Sequence, residues 1–448
     1  MTTVEHPVRR HPERIPFPVV DEVSRHCLQE EEPETVHIEV HLPGRLDRAR
    51  LRTAFTGALH RHPRILVHEA PGRWYSRRYT WELTPGPEAE VVSFAPQGND
   101  ALRDARARAL SQAPPLALSP PIRLEVVEGA GSAVGGSAVA GSPVAGPAVA
   151  ANGTVLVLTI NHTALDGPAC LRILATAAEL YGGRDNSPAA PPVRPPETVQ
   201  EPPDTPSTWV PPARVARGAP ESSPGNGLLV TELFLPRRPK SVPYTVNDQL
   251  MVTTALTVAH WNREHGARPR PLRITMPVDD RPRDTTMPIG NGTRLVEVPF
   301  AADELDPKDM AALLRRTATR TRALKSLSRP QLGHGAALLT APVLPVSWRA
   351  AVTRTLRRAA TPWTSTTLLS NIGRIPYALD FGEDAGRAHA VWFSAPARMP
   401  RGLTVTTAST AGRLHLALRW SRALLGHGDG AHLRDLFEHY LHTTEEAP

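Results

Sequence analysis

The residues best suited to chemistry lie together in one short run, Asn161-His162-Thr163-Ala164-Leu165-Asp166-Gly167. A neutral imidazole can take a proton from an alcohol or amine near neutral pH, because its unperturbed pKa is about 6.5. Proton transfer by a positioned group is worth roughly 10²–10⁴ in rate. Asp166 follows four residues after His162, and the spacing fits two roles: orienting the imidazole, or holding the loop by pairing with an arginine. A His-x-x-x-Asp pair arises by chance in many proteins, so its weight comes from the segments that carry it.

Those segments read as a strand–loop–helix junction. Residues 154–160 are apolar almost throughout, as a strand buried on both faces requires. After Asp166-Gly167, Pro168 suits a first helical position, and Ile173, Leu174, Ala177, Leu180 and Tyr181 share one apolar face. Earlier, residues 36–42 alternate as a strand; His37 and His41 fall on its polar face and are assigned to solvent. A helix is expected from about Asp47, with Leu51, Phe55, Ala58 and Leu59 on one stripe and Pro63 after its end, and a second strand over 122–127. The later half has the same vocabulary. It offers strands at 229–235, 272–278 and 294–300, a buried helix capped by Thr245 and running to about His260, and a long arginine-bearing helix after Asp306-Pro307. Residues 403–409 and 413–420 form a hairpin over Thr410-Ala411-Gly412. Strands and helices alternate in both halves, which predicts an α/β protein built from two similar layers.

Two segments resist folding. Residues 129–153 are small and carry no charge, and read as an expanded hairpin loop. Residues 186–226 contain 12 prolines in 41 positions, a density that blocks helices and central strands. The expected organisation is therefore a first domain over 1–185, a proline-rich crossover over 186–226 and a second domain over 227–448.

Composition narrows the function classes. The chain has 448 residues, 40% hydrophobic and 21% charged, too long for one ordinary core and unlike a disordered chain. Lys plus Arg exceed Asp plus Glu by 51 − 44 = 7, but no tail or aromatic-studded stripe collects the excess, which argues against nucleic-acid binding. The positive balance favours anionic ligands. The arginines between Arg315 and Arg329 read as a solvated helix face, with a carrier-protein dock as the lesser reading. No run approaches the ~20 apolar residues of a membrane span, and the amino terminus lacks the apolar stretch of a secretory signal. Cys27 and Cys170 cannot build a disulfide framework or a four-thiolate zinc site, so a reducing cytoplasm is the expected setting and no metal is expected. Cys170 reads as core rather than nucleophile. No Gly-x-Ser-x-Gly elbow, phosphate-binding loop or His-Glu-x-x-His is present, and Gly290-Asn291-Gly292 reads as a turn.

His162-Thr163-Ala164-Leu165-Asp166-Gly167 resembles the HxxxDG motif of the condensation-domain superfamily, which includes nonribosomal peptide condensation domains, PapA-type and alcohol acyltransferases and chloramphenicol acetyltransferase. Further segments are similar in family order. They are Gly44-Arg45-Leu46-Asp47 with Ala58-Leu59-His60-Arg61-His62-Pro63, then Thr245-Val246-Asn247-Asp248, Pro277-Val278-Asp279-Asp280-Arg281 and Ser370-Asn371-Ile372-Gly373-Arg374-Ile375-Pro376. The resemblance implies two chloramphenicol-acetyltransferase-like α/β sandwich domains in a V-shaped pseudo-dimer with a central channel. It implies His162 as general base, Asp166 paired with Arg281 across the domain interface, Gly167 and Asn161 as active-site support, and Asn371 and Ser370 in the channel.

The implied activity is acyl transfer from a phosphopantetheine-linked thioester, on an acyl or peptidyl carrier protein or on coenzyme A, to a small alcohol or amine. That would be a free-standing acyltransferase of specialised metabolism, with no bound cofactor. The alternative is a condensation-like protein without transfer chemistry that binds or cyclises a carrier-tethered intermediate. This chain departs from many relatives in having Asn161 where they carry a first histidine. Asp380-Phe381-Gly382-Glu383-Asp384 only partly matches the plant branch's Asp-Phe-Gly-Trp-Gly, so a plant-type coenzyme A site is not carried over.

Overall fold

The computed structural model describes residues 13–129, 144–145, 152–184, 210–282, 287–327, 331–332 and 334–446. Most of the small-residue segment and the first part of the proline-rich crossover lie outside the described residues.

The first half opens with β1 (Arg14–Pro16) and α1 (Val19–His26), followed by β2 (Thr35–Leu42). α2 (Arg48–Arg61) starts where the Asp47 side chain accepts from the Arg50 amide at 2.6 Å, and it ends before Pro63, as its sequence requires. β3 (Val67–Glu69) and β4 (Thr80–Leu83) join β1 in a small sheet. β5 (Val92–Phe94), α3 (Ala101–Ser111), β6 (Ile122–Glu128) and the two-residue β7 (Val144–Ala145) precede β8 (Thr154–Asn161) and α4 (Gly167–Tyr181). β8 is buried from end to end, as an unbroken apolar run must be. Leu156, Leu158 and Ile160 share a core with α2 and α4, whereas Val155 and Val157 share another with α3.

The second half begins with β9 (Asn226–Phe234) and α5 (Val246–Glu264), which starts in a reciprocal capping box between Thr245 and Asp248 and runs one turn past His260. Next come the antiparallel pair β10 (Leu272–Val278) and β11 (Arg294–Phe300), then α6 (Met310–Ser326), α7 (His334–Leu339) and α8 (Val346–Ala359). β12 (Thr367–Arg374), β13 (Ala390–Ser394), the hairpin of β14 (Leu403–Thr410) and β15 (Arg413–Ser421), and α9 (His427–Glu445) complete the chain.

Two mixed sheets result. The first has the order β13-β2-β8-β6-β5 and the second the order β11-β10-β12-β14-β15-β9-β7. Each sheet takes a strand from the other half of the chain. β13 lies antiparallel to β2, with Val391 opposite Val40, and β7 lies parallel to β9. The described end of the crossover is packed against the second sheet's helices: Trp261 donates its indole N–H to the Ala216 carbonyl, and Asn262 bonds both Arg214 and Ala216.

This exchange corrects the reading of β2. His37 and His41 are not in solvent, because the polar face of β2 is covered where the two sheets meet; His37 is wholly buried. On that face Glu39 receives Arg106 through two bonds of 2.8 and 2.6 Å and His41 Nε2 at 2.6 Å. Burial opposes ionisation of Glu39, yet Arg106 holds its carboxyl well below the usual range. Above it Arg419 of β15 donates to the Thr35 carbonyl at 2.7 Å and to Asn226 Oδ1 at 2.6 Å, tying the sheets together. The arginine face of α6 needs a similar correction: Arg320 is buried, paired with Glu304.

Candidate active site

β8 delivers the chain to the edge of a cavity of about 430 Å³, and the turn after it is fixed before any ligand is considered. The Asn161 amide donates to the Pro114 carbonyl at 3.0 Å, while its Oδ1 accepts from the Thr163 amide at 3.1 Å. The His162 amide donates to the Glu34 carbonyl at 2.8 Å. The His162 ring lines the cavity, and its Nδ1 lies 2.8 Å from the Leu165 carbonyl. A carbonyl only accepts, so Nδ1 carries the proton and Nε2 keeps its lone pair. Among the described residues nothing hydrogen-bonds Nε2.

Asp166 does not touch this imidazole. It caps α4, accepting from the Ala169 amide at 3.1 Å, and it receives Arg281 Nη2 at 2.7 and 2.8 Å. The Gly292 and Thr293 amides donate to the same carboxylate. Of the two roles that fit the spacing, the geometry has Asp166 hold the loop. Burial works against the Arg281 charge, but Asp279 and Asp166 outweigh it and raise its pKa. Two glycines are demanded by contact. A Cβ on Gly167 would sit 1.9 Å from the Phe393 ring of β13, and one on Gly292 would sit 2.3 Å from Arg281 Nε.

Both halves of the chain line the cavity. Asn247, Ser370 and Asn371 face it from the second sheet and its helix, with Met276, Leu368 and Phe393 supplying apolar wall. Asn371 is held by Thr407 at 3.1 Å and by the Gly373 amide at 2.9 Å, and reaches Asn247 at 3.3 Å. Of the residues expected at the site, His162, Asp166, Gly167, Ser370 and Asn371 line this cavity, while Asn161 and Arg281 stand behind it, bonded to the turn that carries His162 and Asp166. Cys170 is sealed in the core, where burial raises its thiol pKa well above the ordinary value. Among the described residues no group of three or more His, Cys, Asp or Glu could hold a metal.

Other residues at the site were not singled out from the sequence. Asn291, in the turn set aside above, donates through Nδ2 to the His162 and Thr163 carbonyls at 3.1 and 2.9 Å and to Asp21 at 2.9 Å. Burial pushes the Asp21 carboxyl up to about 6 against the bonds from Asn291 and Trp81. Arg398, bound to Glu34, and Arg401, bound to Ser365, add positive charge to the wall; burial pushes Arg401 down to about 10. A Gly-Asn-Gly turn between strands was the one available hint for Asn291.

No protein-family model matches the chain. An uncharacterized protein of Mycobacterium tuberculosis, found in two strains, is 25% identical over 399 residues, covering 82% of this chain and 84% of its own. The trichothecene 15-O-acetyltransferase TRI3 of Fusarium sporotrichioides superposes with a TM-score of 0.62 at 11% identity, over 96% of this chain and 95% of that one. A variant of the starter condensation domain of rhizomide synthetase RzmA in complex with C8-CoA gives 0.61 at 13%, over 95% and 93%. The condensation domain of the monacolin K polyketide synthase MokA gives 0.59 at 12%, over 97% of both chains. The chain shares the α/β fold of these condensation domains and of the acetyltransferase over nearly its whole length.

Proposed function

We propose that the protein is an acyltransferase that moves an acyl group from a phosphopantetheine-linked thioester to an alcohol or amine, with His162 as general base. The observation that carries this reading is the state of one ring. His162 has Nδ1 spent on the Leu165 carbonyl and lines a cavity walled by both halves of the chain. Nε2 takes the proton of the acceptor O–H or N–H as that oxygen or nitrogen attacks the thioester carbonyl carbon. The tetrahedral intermediate collapses with cleavage of the C–S bond, and the imidazolium returns the proton to the leaving thiolate. Asp166 and Arg281 keep the loop in place and carry no proton. Asn371 and Ser370 are the polar groups within the cavity that meet the substrates.

On the cavity wall Glu34 is paired with Arg398, Asp166 and Asp279 with Arg281, and Asp280 with Arg294, so the charges of Arg357 and Arg401 beside them favour a donor bearing phosphate, and the complex of the RzmA domain with C8-CoA supports a coenzyme A ester as one form of it. A separate carrier protein is the other. In this reading the two sheets with their helices are two lobes divided near 186–226, and donor and acceptor meet between them. The test is intact-mass and chromatographic assay of acyl-CoA and acyl-carrier donors with panels of alcohols and amines. Product is expected with the parent chain and lost with His162→Ala. Full transfer by His162→Ala on the true substrate pair would overturn the assignment.

A further inference from the structure

A helix that reaches the cavity wall through Arg357 also carries an apolar face turned to water. α8 buries Val346, Arg349, Ala350 and Thr353 against the body, yet Trp348, Val352 and Leu356 recur at four-residue spacing on its exposed side. Trp348 is 63% exposed. Leu338, Val343 and Leu344, just before the helix, are exposed as well, Leu338 by 79%. A separate loop adds Trp74, at 76%, and Tyr75. These pieces form one platform, because Ser347 donates to the Trp74 carbonyl at 3.2 Å and the Val346 amide to the Ser76 carbonyl at 2.8 Å. Arg349 locks it: one nitrogen serves the Thr340 and Ala341 carbonyls, and the other serves the Arg77 carbonyl and pairs with Glu22 at 2.8 Å. Scattered exposed apolar side chains need no explanation, but a fixed cluster of this kind marks an interaction surface.

Apart from the buried Glu22 that Arg349 neutralises, the charge on this stretch of chain has one sign. From Met310 to Leu379 the chain contains no Asp or Glu, against ten arginines and one lysine. Arg354 and Arg358 flank the apolar stripe, and Arg73, Arg77 and Arg78 stand exposed beside Trp74. Arg357 and Arg358 make no ion pair among the described residues. An outward apolar stripe with tryptophan, edged by arginine on a helix lying along the surface, is the pattern of a helix that rests in a lipid–water interface. Arginine meets anionic headgroups while indole and leucine enter the acyl boundary. No described helix is long and apolar enough to cross a membrane. The platform also leads to the site: α8 ends at Ala359, and Arg357 and Thr364 line the cavity.

We propose that the α8 platform docks the protein on an anionic lipid surface, with the cavity mouth held beside the bilayer. The experiment is co-sedimentation of the full chain with vesicles of phosphatidylcholine, with and without phosphatidylglycerol, at rising salt. Binding is expected only with phosphatidylglycerol and is expected to weaken with salt. Trp348→Ser combined with Leu356→Ser should reduce it by about tenfold or more. Arg354→Glu with Arg358→Glu should abolish the preference for the anionic lipid. Trp74→Ser, on a separate loop, is a second probe should the helix variant lose its circular dichroism. Equal binding to both vesicles, binding unchanged in these variants, or no binding would overturn the proposal. So would concentration-dependent dimers, or capture of an acidic carrier protein, that alone depend on Trp348. None of these readouts uses acyl transfer, so a failure of that reading leaves this one standing.

Discussion

Two clusters in this molecule are built from the same residue types, and only one of them opens on the large cavity. In the seam between the sheets Glu39 is saturated by Arg106 and His41, and His37 lies against them with neither ring nitrogen hydrogen-bonded. At the cavity Asp166 is saturated by Arg281 and backbone amides, and His162 has one nitrogen bound and the other open. In both places arginine and carboxylate neutralise each other and fix the backbone. What separates them is access, since a histidine needs both a held tautomer and a free lone pair facing space that a reactant can enter. Residue type supplied neither.

The largest expected effect is on rate alone. His162→Ala should lower kcat/KM for acyl transfer by about 10²–10⁴, with a thermal midpoint close to that of the parent chain, because the ring borders a cavity and caps nothing. A variant that lost stability instead would place His162 among the structural histidines and erase the contrast. The seam should answer in the opposite way. Arg106→Ala strands a buried carboxylate on Glu39, and urea denaturation should show a loss of about 3–5 kcal/mol. A loss under 1 kcal/mol would mean water reaches that pair, and the seam would then be a second cleft.

The same contrast explains what could be read in advance. β8, its turn and α4 were legible because an apolar run, Asp-Gly and a proline are local signals, and the pairing of Asp166 with Arg281 followed from a resemblance carried by those motifs. β2 was misread on one face. Alternation tells which residues share a side, but it assigns the polar side to solvent unless something covers it. Here α3, through Arg106 on Glu39, and β15 of the second sheet, through Arg419 on the Thr35 carbonyl 384 residues away, cover that side. Phe393 and Asn291 were invisible for the same reason: each reaches the site through a long-range contact that leaves no periodicity in its own segment. The constraint on Gly167 looks like a motif residue in the sequence and becomes a packing contact with Phe393 only in three dimensions.

A smaller effect sharpens the division of labour at the cavity. Asp166→Asn keeps an N-cap acceptor for α4 but discards the charge that Arg281 faces. Stability should fall by about 1–3 kcal/mol in a denaturant titration. The rate of transfer should fall by less than it does in His162→Ala. A loss of rate as large as that of His162→Ala would put Asp166 in the proton path, a role its contacts with Arg281 and backbone amides do not suggest.

The smallest effect at neutral pH is also the cleanest probe of burial. Burial pushes His37 down to about 3, so between pH 6.5 and 3 the unfolded chain binds a proton that the native chain refuses. The unfolded state then carries more protons, and stability must fall as pH drops through that window. His37→Leu removes this one titration from a site where neither nitrogen has a partner, so its stability at pH 7.5 should stay within about 1.5 kcal/mol of the parent. Denaturant midpoints measured from pH 7.5 to 4 should decline less steeply in the variant. The opposing contribution of Asp21, whose carboxyl near 6 is protonated in the native state first, is common to both proteins and cancels in their difference. Parallel curves would show that His37 already accepts its proton while folded. That would make the seam accessible to water, and open access would no longer distinguish His162 from it.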